Sequence, residues 1–213
     1  MELLCTLSQV KTMLGISEED TTQDEKLLML IKSVSSRIVG YIGYSLARQE
    51  YKAELHAVNN LQLLQLNHFP LQEVSKVEMK GATINDYRLI PEYMRWGRLY
   101  RGIGWTGNEY TRGFTHDVVS GVYEIAVDYV AGYYLPNDSE YEEGADNSLP
   151  YDIVAVCIDL VCMRYNYEVS GAIGLKSHTE GHISDTYGDS ACSTDLSESA
   201  KKALAKYVYV GLA

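Results

Sequence analysis

No stretch of the 213-residue sequence reaches the ~18 apolar residues that a membrane-spanning helix requires. Met1 to Leu14 has neither a basic segment nor a continuous apolar run, so the marks of a secretory leader are missing and a soluble intracellular protein is expected. Basic charge is also in deficit, with 18 Lys and Arg against 29 Asp and Glu and a formal net charge of −11. Such a surface repels nucleic acid phosphates, which excludes a protein that grips DNA by its backbone but lets DNA pass by. The four cysteines, Cys5, Cys157, Cys162 and Cys192, include no CxxC pair. Without a leader, disulfides are disfavoured and core thiols are expected, Cys157 and Cys162 pointing in different directions from one helix. For the same reason the sequon Asn137-Asp138-Ser139 carries little weight. Phenylalanine is scarce, with two against 18 tyrosines. Tyrosine buries a ring while keeping a polar tip, which suits wet contacts between subunits and strand surfaces alike.

Catalytic signatures are equally thin. There is no G-x-S-x-G, no P-loop and no Cys/His nucleophile arrangement. Gly102-Ile103-Gly104-Trp105-Thr106-Gly107 has G-x-G-x-x-G spacing, but Gly113 and the β-rich segment from Val118 to Val130 follow where a dinucleotide site needs a helix. A glycine-rich hairpin tip is the expectation. His178 and His182 are spaced like a metalloprotease pair, yet Glu180 is misplaced and Gly181 sits in a glycine-rich stretch. His56, His68 and His116 are isolated, and Asp185 with Asp189 reads as a solvated loop. No enzyme activity, cofactor or metal is expected.

Helical patterning is strong at both ends. Thr6 with Gln9 forms a capping-box pair ahead of Leu7, Val10, Met13 and Leu14, and Gly15 marks the stop. Thr22 with Glu25 has the same form ahead of Leu27, Ile31, Val34, Ile38 and Ile42, with an end near Tyr41 to Tyr44 set by Gly40 and Gly43. The two helices are expected to pair by their apolar faces.

From Gln49 to Gly132 the period becomes alternating and turn residues become frequent. Tyr51, Ala53, Leu55 and Ala57 predict a strand that hairpins through Asn59-Asn60 to Leu61–Leu66. Pro70 closes that strand, Val74–Met79 makes another, and Lys80-Gly81 turns the chain. Tyr123, Ile125, Val127 and Tyr129 share one face of a final strand. Pro150 then opens a helix, Tyr151 to Tyr167, that is apolar on nearly every side except a stripe of Asp152, Asp159 and Asn166. More than one neighbour must cover it. Gly171 to Ser193 reads as a mobile loop, and Asp195 with Glu198 opens a last helix. That helix places Leu196, Ala200, Ala203, Leu204 and Tyr207 on one side and Lys201, Lys202 and Lys206 elsewhere.

The fold class expected is α+β, a bundle of about four helices with an inserted small antiparallel sheet or barrel. The parts are an N-terminal helical hairpin over 1–48, an inserted β domain over 49–135, an acidic loop and core helix over 136–170, and a flexible loop with a C-terminal helix over 171–213.

This order of parts resembles the head-tail connector family of tailed bacteriophages, also called head completion or adaptor proteins. The residues that carry the resemblance are Leu7-Ser8-Gln9-Val10-Lys11-Thr12-Met13-Leu14-Gly15-Ile16, the acidic Glu18 to Asp24, and the helix end Ile38-Val39-Gly40-Tyr41-Ile42-Gly43. Leu64-Gln65-Leu66-Asn67-His68-Phe69-Pro70-Leu71 and Val127-Asp128-Tyr129-Val130-Ala131-Gly132-Tyr133 follow, then Leu149-Pro150 and its helix. Met94 to Asp117 is longer and richer in glycine than the family pattern. The resemblance implies a structural virion protein that forms a ring, commonly twelvefold, below the portal vertex. It would extend the DNA channel, let genomic DNA pass without sequence-specific binding, and seat a stopper or tail component. Assembly would take place in the host cytoplasm, with no membrane involved.

On that reading Lys201, Lys202, Leu204, Lys206 and Tyr207 dock on the portal protein. Ile153, Val156, Leu160 and Tyr165 make ring contacts, and Trp96, Arg98, Arg101 and Trp105 face the tail side. The plainer alternative for the last helix is that it packs on its own domain. A tail-completion protein and a non-phage soluble binding module are the alternative functions.

Overall fold

A computed structural model of the chain describes residues 2–58, 61–105, 123–169, 177–180, 183–186 and 196–208. The elements in chain order are α1 (Leu7–Leu14), α2 (Asp24–Ile42), β1 (Gln49–Ala57), β2 (Leu63–Gln65), β3 (Leu71–Met79), β4 (Ala82–Thr83), β5 (Tyr87–Arg88) and α3 (Pro91–Met94). They continue with β6 (Arg98–Arg101), β7 (Tyr123–Ala131), α4 (Tyr151–Val169), β8 (Ser177–Glu180), β9 (Ile183–Thr186) and α5 (Glu198–Leu204), which runs on as a 3-10 turn, Ala205–Tyr207. The protein is α+β. Its chain forms two compact units, a helical unit of Met1–Ser45 with Tyr134–Ala213 and a β unit of Leu46–Tyr133.

In the helical unit α2 and α4 pack on each other, α1 packs on both, and α5 packs on α4. Thr6 caps α1 as its sequence predicts: its hydroxyl accepts from the Gln9 amide at 3.1 Å while Gln9 Oε1 accepts from the Thr6 amide at 2.8 Å. Gly15 and Gly43 end α1 and α2 in the left-handed conformation. The start of α2 departs from expectation. Gln23 is its N-cap and makes no side-chain capping bond, and the Thr22 hydroxyl donates to Asp20 Oδ1 at 2.6 Å instead of capping the helix. The preceding carboxylate holds Thr22 in a local turn and so removes it from the helix start. Lys11, buried on α1, places its ammonium 2.6 Å from Asp24 Oδ1 and donates to the Glu18 carbonyl. The first residues of α2 are thereby tied to α1.

On α4, Ile153, Val154, Cys157, Val161 and Cys162 are buried, and Asp152, Asp159 and Asn166 form the exposed stripe that the sequence predicts. The segment expected as a loop after Gly171 contains a two-stranded antiparallel hairpin, β8 with β9. The cap of α5 is Ser197, whose hydroxyl accepts from the Ala200 amide; Asp195, expected at that end, lies outside the described residues.

The β unit holds a four-stranded antiparallel sheet in the order β1-β7-β3-β4 and a three-stranded sheet in the order β2-β6-β5. Its core contains Leu64, Leu66, Leu71, Val77, Leu99, Trp105, Ile125, Val127 and Tyr129. Ile125, Val127 and Tyr129 share the buried face of β7, as their alternation predicts. Lys80 and Gly81, at φ of 53° and 79°, make the tight turn from β3 to β4.

The expected hairpin from β1 to the Leu61–Leu66 strand is not formed. β1 pairs with β7 and β2 with β6, and Asn59-Asn60 lies outside the described residues. Nor does β1 keep a single alternation. Ala53 adopts a φ of 48° and its amide donates to Asp128 Oδ1 at 2.6 Å, while the register against β7 shifts between Tyr51 and Glu54. This bulge turns the strand over, so Leu55 is 55% exposed and His56 is buried. A further short helix, α3, had no counterpart in the sequence pattern and starts at Pro91 in its first turn.

The entry and exit of the β unit meet. The Arg48 amide donates to the Tyr133 carbonyl and the Tyr133 amide to the Leu46 carbonyl, at 2.8 and 2.7 Å. Gly132 sits at this crossing with a φ of 95°, and a Cβ there would stand 2.3 Å from the Ala47 carbonyl oxygen, so only glycine fits.

Candidate assembly surfaces

The outer face of the α4–α5 pair carries an open apolar groove. Leu204 and Tyr207 follow Ala200 at helical spacing and all three are buried, which anchors α5 on α4. Beside that seam runs a groove of about 250 Å³ lined by Val156, Asp159, Leu160 and Met163 from α4 and by Ser197, Ser199, Ala200 and Ala203. The small residues of α5 leave the space, and Met163 at 38% exposure forms part of its wall. Tyr151, 55% exposed, marks the start of the same helix.

The basic residues of α5 are already engaged in part. Lys206 pairs with the Asp152 carboxylate, and the Tyr207 hydroxyl donates to that carboxylate at 3.3 Å. Lys206 holds the Asp152 carboxyl below the usual carboxylate range. Lys201 pairs with Glu198 at 2.8 Å one turn away, and Lys202 is exposed. The predicted portal-docking set therefore divides, with three lysines at the surface and Leu204 and Tyr207 inside.

The predicted ring set divides too. Ile153 is fully buried in the helical unit, whereas Val156 and Leu160 reach the groove. Tyr165 is half-buried with the Lys26 ammonium 5.3 Å from its ring centre, and Lys26 also pairs with Glu168.

In the β unit, the residues predicted to face the tail follow α3. Trp96 is half-buried, 6.3 Å from the Phe69 ring and under the Arg95 guanidinium, and Arg98 donates to Gln65 Oε1. Arg101 and Trp105 turn inward. Arg101 donates to Asp86 and to the Gly104 carbonyl, its guanidinium lies 5.7 Å from the Trp105 ring, and the Trp105 indole N–H donates to the Leu99 carbonyl. These contacts close the turn Gly102–Trp105; Thr106 and Gly107, the rest of the glycine-spaced motif, and the segment after them where a helix was not expected lie outside the described residues. His116, Asp189, Cys192 and the 181–182 pair also lie outside them.

A polar cluster in the β unit had no signal in the linear sequence. Glu54 Oε1 accepts from the Tyr129 hydroxyl at 2.8 Å and from Asn67 at 3.0 Å. His56 Nε2 lies 2.9 Å from the same oxygen but off the line of a hydrogen bond, and His68 Nε2 lies 3.3 Å from Oε2. Tyr51 stacks on His68 with ring centres 3.8 Å apart and packs on Tyr129. Burial lowers the His56 pKa, opposed by Glu54 and reinforced by His68, and burial with the Glu54 contact raises that of Tyr129. Only the bulge at Ala53 brings Glu54 and His56 into this register, which is why alternation could not reveal the cluster. Among the described residues no group of three or more His, Cys, Asp or Glu side chains is placed to hold a metal ion. No helix among them is long and apolar enough to cross a membrane.

A family model described as head completion protein matches residues 3–174. No curated protein matches the sequence. Among solved structures, a chain in the neck of an empty GTA particle with C6 symmetry is similar with a TM-score of 0.50 and 15% identity, covering 97% of this chain and 90% of that one. A chain in the neck of a native GTA particle with C12 symmetry has a TM-score of 0.46 at 13% identity, and one in the virion of a native gene transfer agent particle 0.48 at 13%, each with the same coverage. At 15% identity the first of these likenesses is one of fold.

Proposed function

From the premise that this chain belongs to the head completion protein family, we propose that it acts as a head-tail connector, a ring of copies between the portal and the tail side of a virion neck. The observation that carries this is the extent of the family match, which takes in α1, α2, the whole β unit and α4. The role is architectural: copies position one another and line a passage.

The α4–α5 face supports a contact between neighbouring copies in the ring. Val156, Leu160 and Met163 leave apolar surface beside small α5 residues, and contacts repeated around a ring close when the rotation permits. Ile153, being interior, supports this face from beneath. Lys201, Lys202 and Lys206 supply the surface for the portal, with Leu204 and Tyr207 fixing the helix that carries them. Trp96 and Arg98 supply the surface for the tail-side partner, on the segment that leads through β6 to the turn Arg101 and Trp105 hold shut. Genomic DNA passes an acidic protein that does not retain it, consistent with the net charge of −11.

The test is the solution mass of the purified chain, alone and mixed with the portal ring from the same genome, with electron microscopy of any large species. A ring in either sample is expected, and Leu160→Asp is expected to leave a folded chain that fails to form it. A monomer in both samples would overturn the connector reading. Rings formed by Leu160→Asp as readily as by the native chain would overturn the assignment of the α4 face alone.

A further inference from the structure

Cys5 and Cys157 are 152 positions apart in the sequence, yet their sulfurs lie 3.6 Å apart in the helical unit. Both side chains are essentially fully buried. The segment that carries Cys5 is held from both sides: the Leu4 amide donates to Ser35 Oγ at 3.1 Å, and Asn137 donates to the Cys5 carbonyl at 3.3 Å. Ser35 Oγ also lies 3.7 Å from Cys157 Sγ, so one α2 hydroxyl faces both the strapped segment and the second thiol. Cys162, further along α4, has no sulfur within hydrogen-bonding distance among the described residues.

We infer that Cys5 and Cys157 form a redox latch, which a peroxide closes to an intramolecular disulfide. In the first step the Cys157 thiolate attacks one oxygen of hydrogen peroxide. An S–O bond forms, the O–O bond breaks, and the leaving hydroxide takes up the proton that the Cys157 thiol gave up, so that water departs and Cys157 is left as a sulfenic acid. The Cys5 sulfur then attacks the Cys157 sulfur. The S–S bond forms, the S–O bond breaks, and the departing hydroxide takes the Cys5 proton as a second water. Two thiols are oxidised by two electrons and one peroxide is reduced to two waters.

The consequence lies in the connectivity. The helical unit is built from two pieces of chain, Met1–Ser45 and Tyr134–Ala213, and the link would staple one piece to the other around the whole β unit. Cross-linking across so long a loop removes much of the chain entropy that separates the pieces when unfolded. This inference is independent of ring formation.

The full-length chain is treated with hydrogen peroxide, blocked with N-ethylmaleimide, digested without reductant and mapped by mass spectrometry. The expected product joins the Cys5 and Cys157 peptides, lighter by two hydrogens and separated again by dithiothreitol. Cys162→Ser retains the link and Cys5→Ser loses it. The native chain decides the question even if Cys5→Ser fails to fold. Alkylated thiols at both positions, sulfinic acid on either without a link, or a dominant link through Cys162 or Cys192 would overturn the latch.

Discussion

In the helical unit the groups that start α1 are three residues apart, Thr6 and Gln9, whereas in the β unit Glu54 meets Tyr129 across 75 positions. Both arrangements satisfy polar groups and both set the register of an element. They differ in where the information resides. A helix end is written within one turn of chain, so hydroxyl, amide and stop glycine can be recognised together. A strand register is written in the partner, here β7, whose Asp128 takes the Ala53 amide and so decides which β1 side chains face inward. The helical unit is therefore specified largely within its own turns of chain, while the β unit is specified by the pairing of distant strands.

The largest expected break falls in the β unit. Trp105→Ala removes a fully buried ring whose indole N–H satisfies the Leu99 carbonyl, at a cost of about 3–5 kcal/mol. Trp96, the other tryptophan and also in the β unit, reports that unit by fluorescence during urea unfolding. The midpoint seen by Trp96 should fall sharply. A shift worth less than about 1 kcal/mol would mean that the turn Gly102–Trp105 is not part of the core.

A second measurement sharpens the contrast through pH. Burial holds the His56 pKa below its ordinary value of 6.5, so the unfolded chain binds a proton before the folded chain does. The stability contribution is full above that ordinary value and is lost as pH falls through it, with a slope of at most about 1.4 kcal/mol per pH unit for one proton. The groups facing His56 are Glu54 and His68, with Tyr129 bound to the same carboxylate. His56→Gln should flatten the β unit's melting temperature between neutral pH and mild acid. An unchanged slope in that variant would assign the acid sensitivity elsewhere.

The smallest effects test local legibility in the helical unit. Thr6→Ala should cost about 1 kcal/mol by urea unfolding followed by circular dichroism, because its hydroxyl caps α1. Thr22→Ala should cost clearly less, since Thr22 serves Asp20 rather than α2. Equal losses would place a functioning cap at Thr22 after all.

These contrasts explain which features could be read in advance. The cap of α1, the glycine stops, the polar stripe of α4 and the inner face of β7 depend on periodicity and near neighbours, and all were legible. The Thr22 cap misled because the acidic connector offers a nearer acceptor than the helix. The β1 hairpin misled because strand partners depend on contacts far away in sequence. For the candidate surfaces, residue type did not tell which side chains of α4, α5 and β6 face outward. Ile153, Leu204, Arg101 and Trp105 all lie inside, and the groove beside α5 depends on Ala200 and Ala203, whose small size carries no signal alone.

The doorway at Leu46–Arg48 and Gly132–Tyr133 has a consequence for how such a chain can change over generations. Because the β unit leaves and re-enters through one pair of backbone hydrogen bonds, its contents form a cassette with a standard fitting. Strands within it can lengthen, shorten or be exchanged while the fitting stays the same, so long as the exit keeps a residue without a side chain at Gly132. Such a layout confines a change among the inserted strands to one unit while the helices that flank it in the gene keep their own solution.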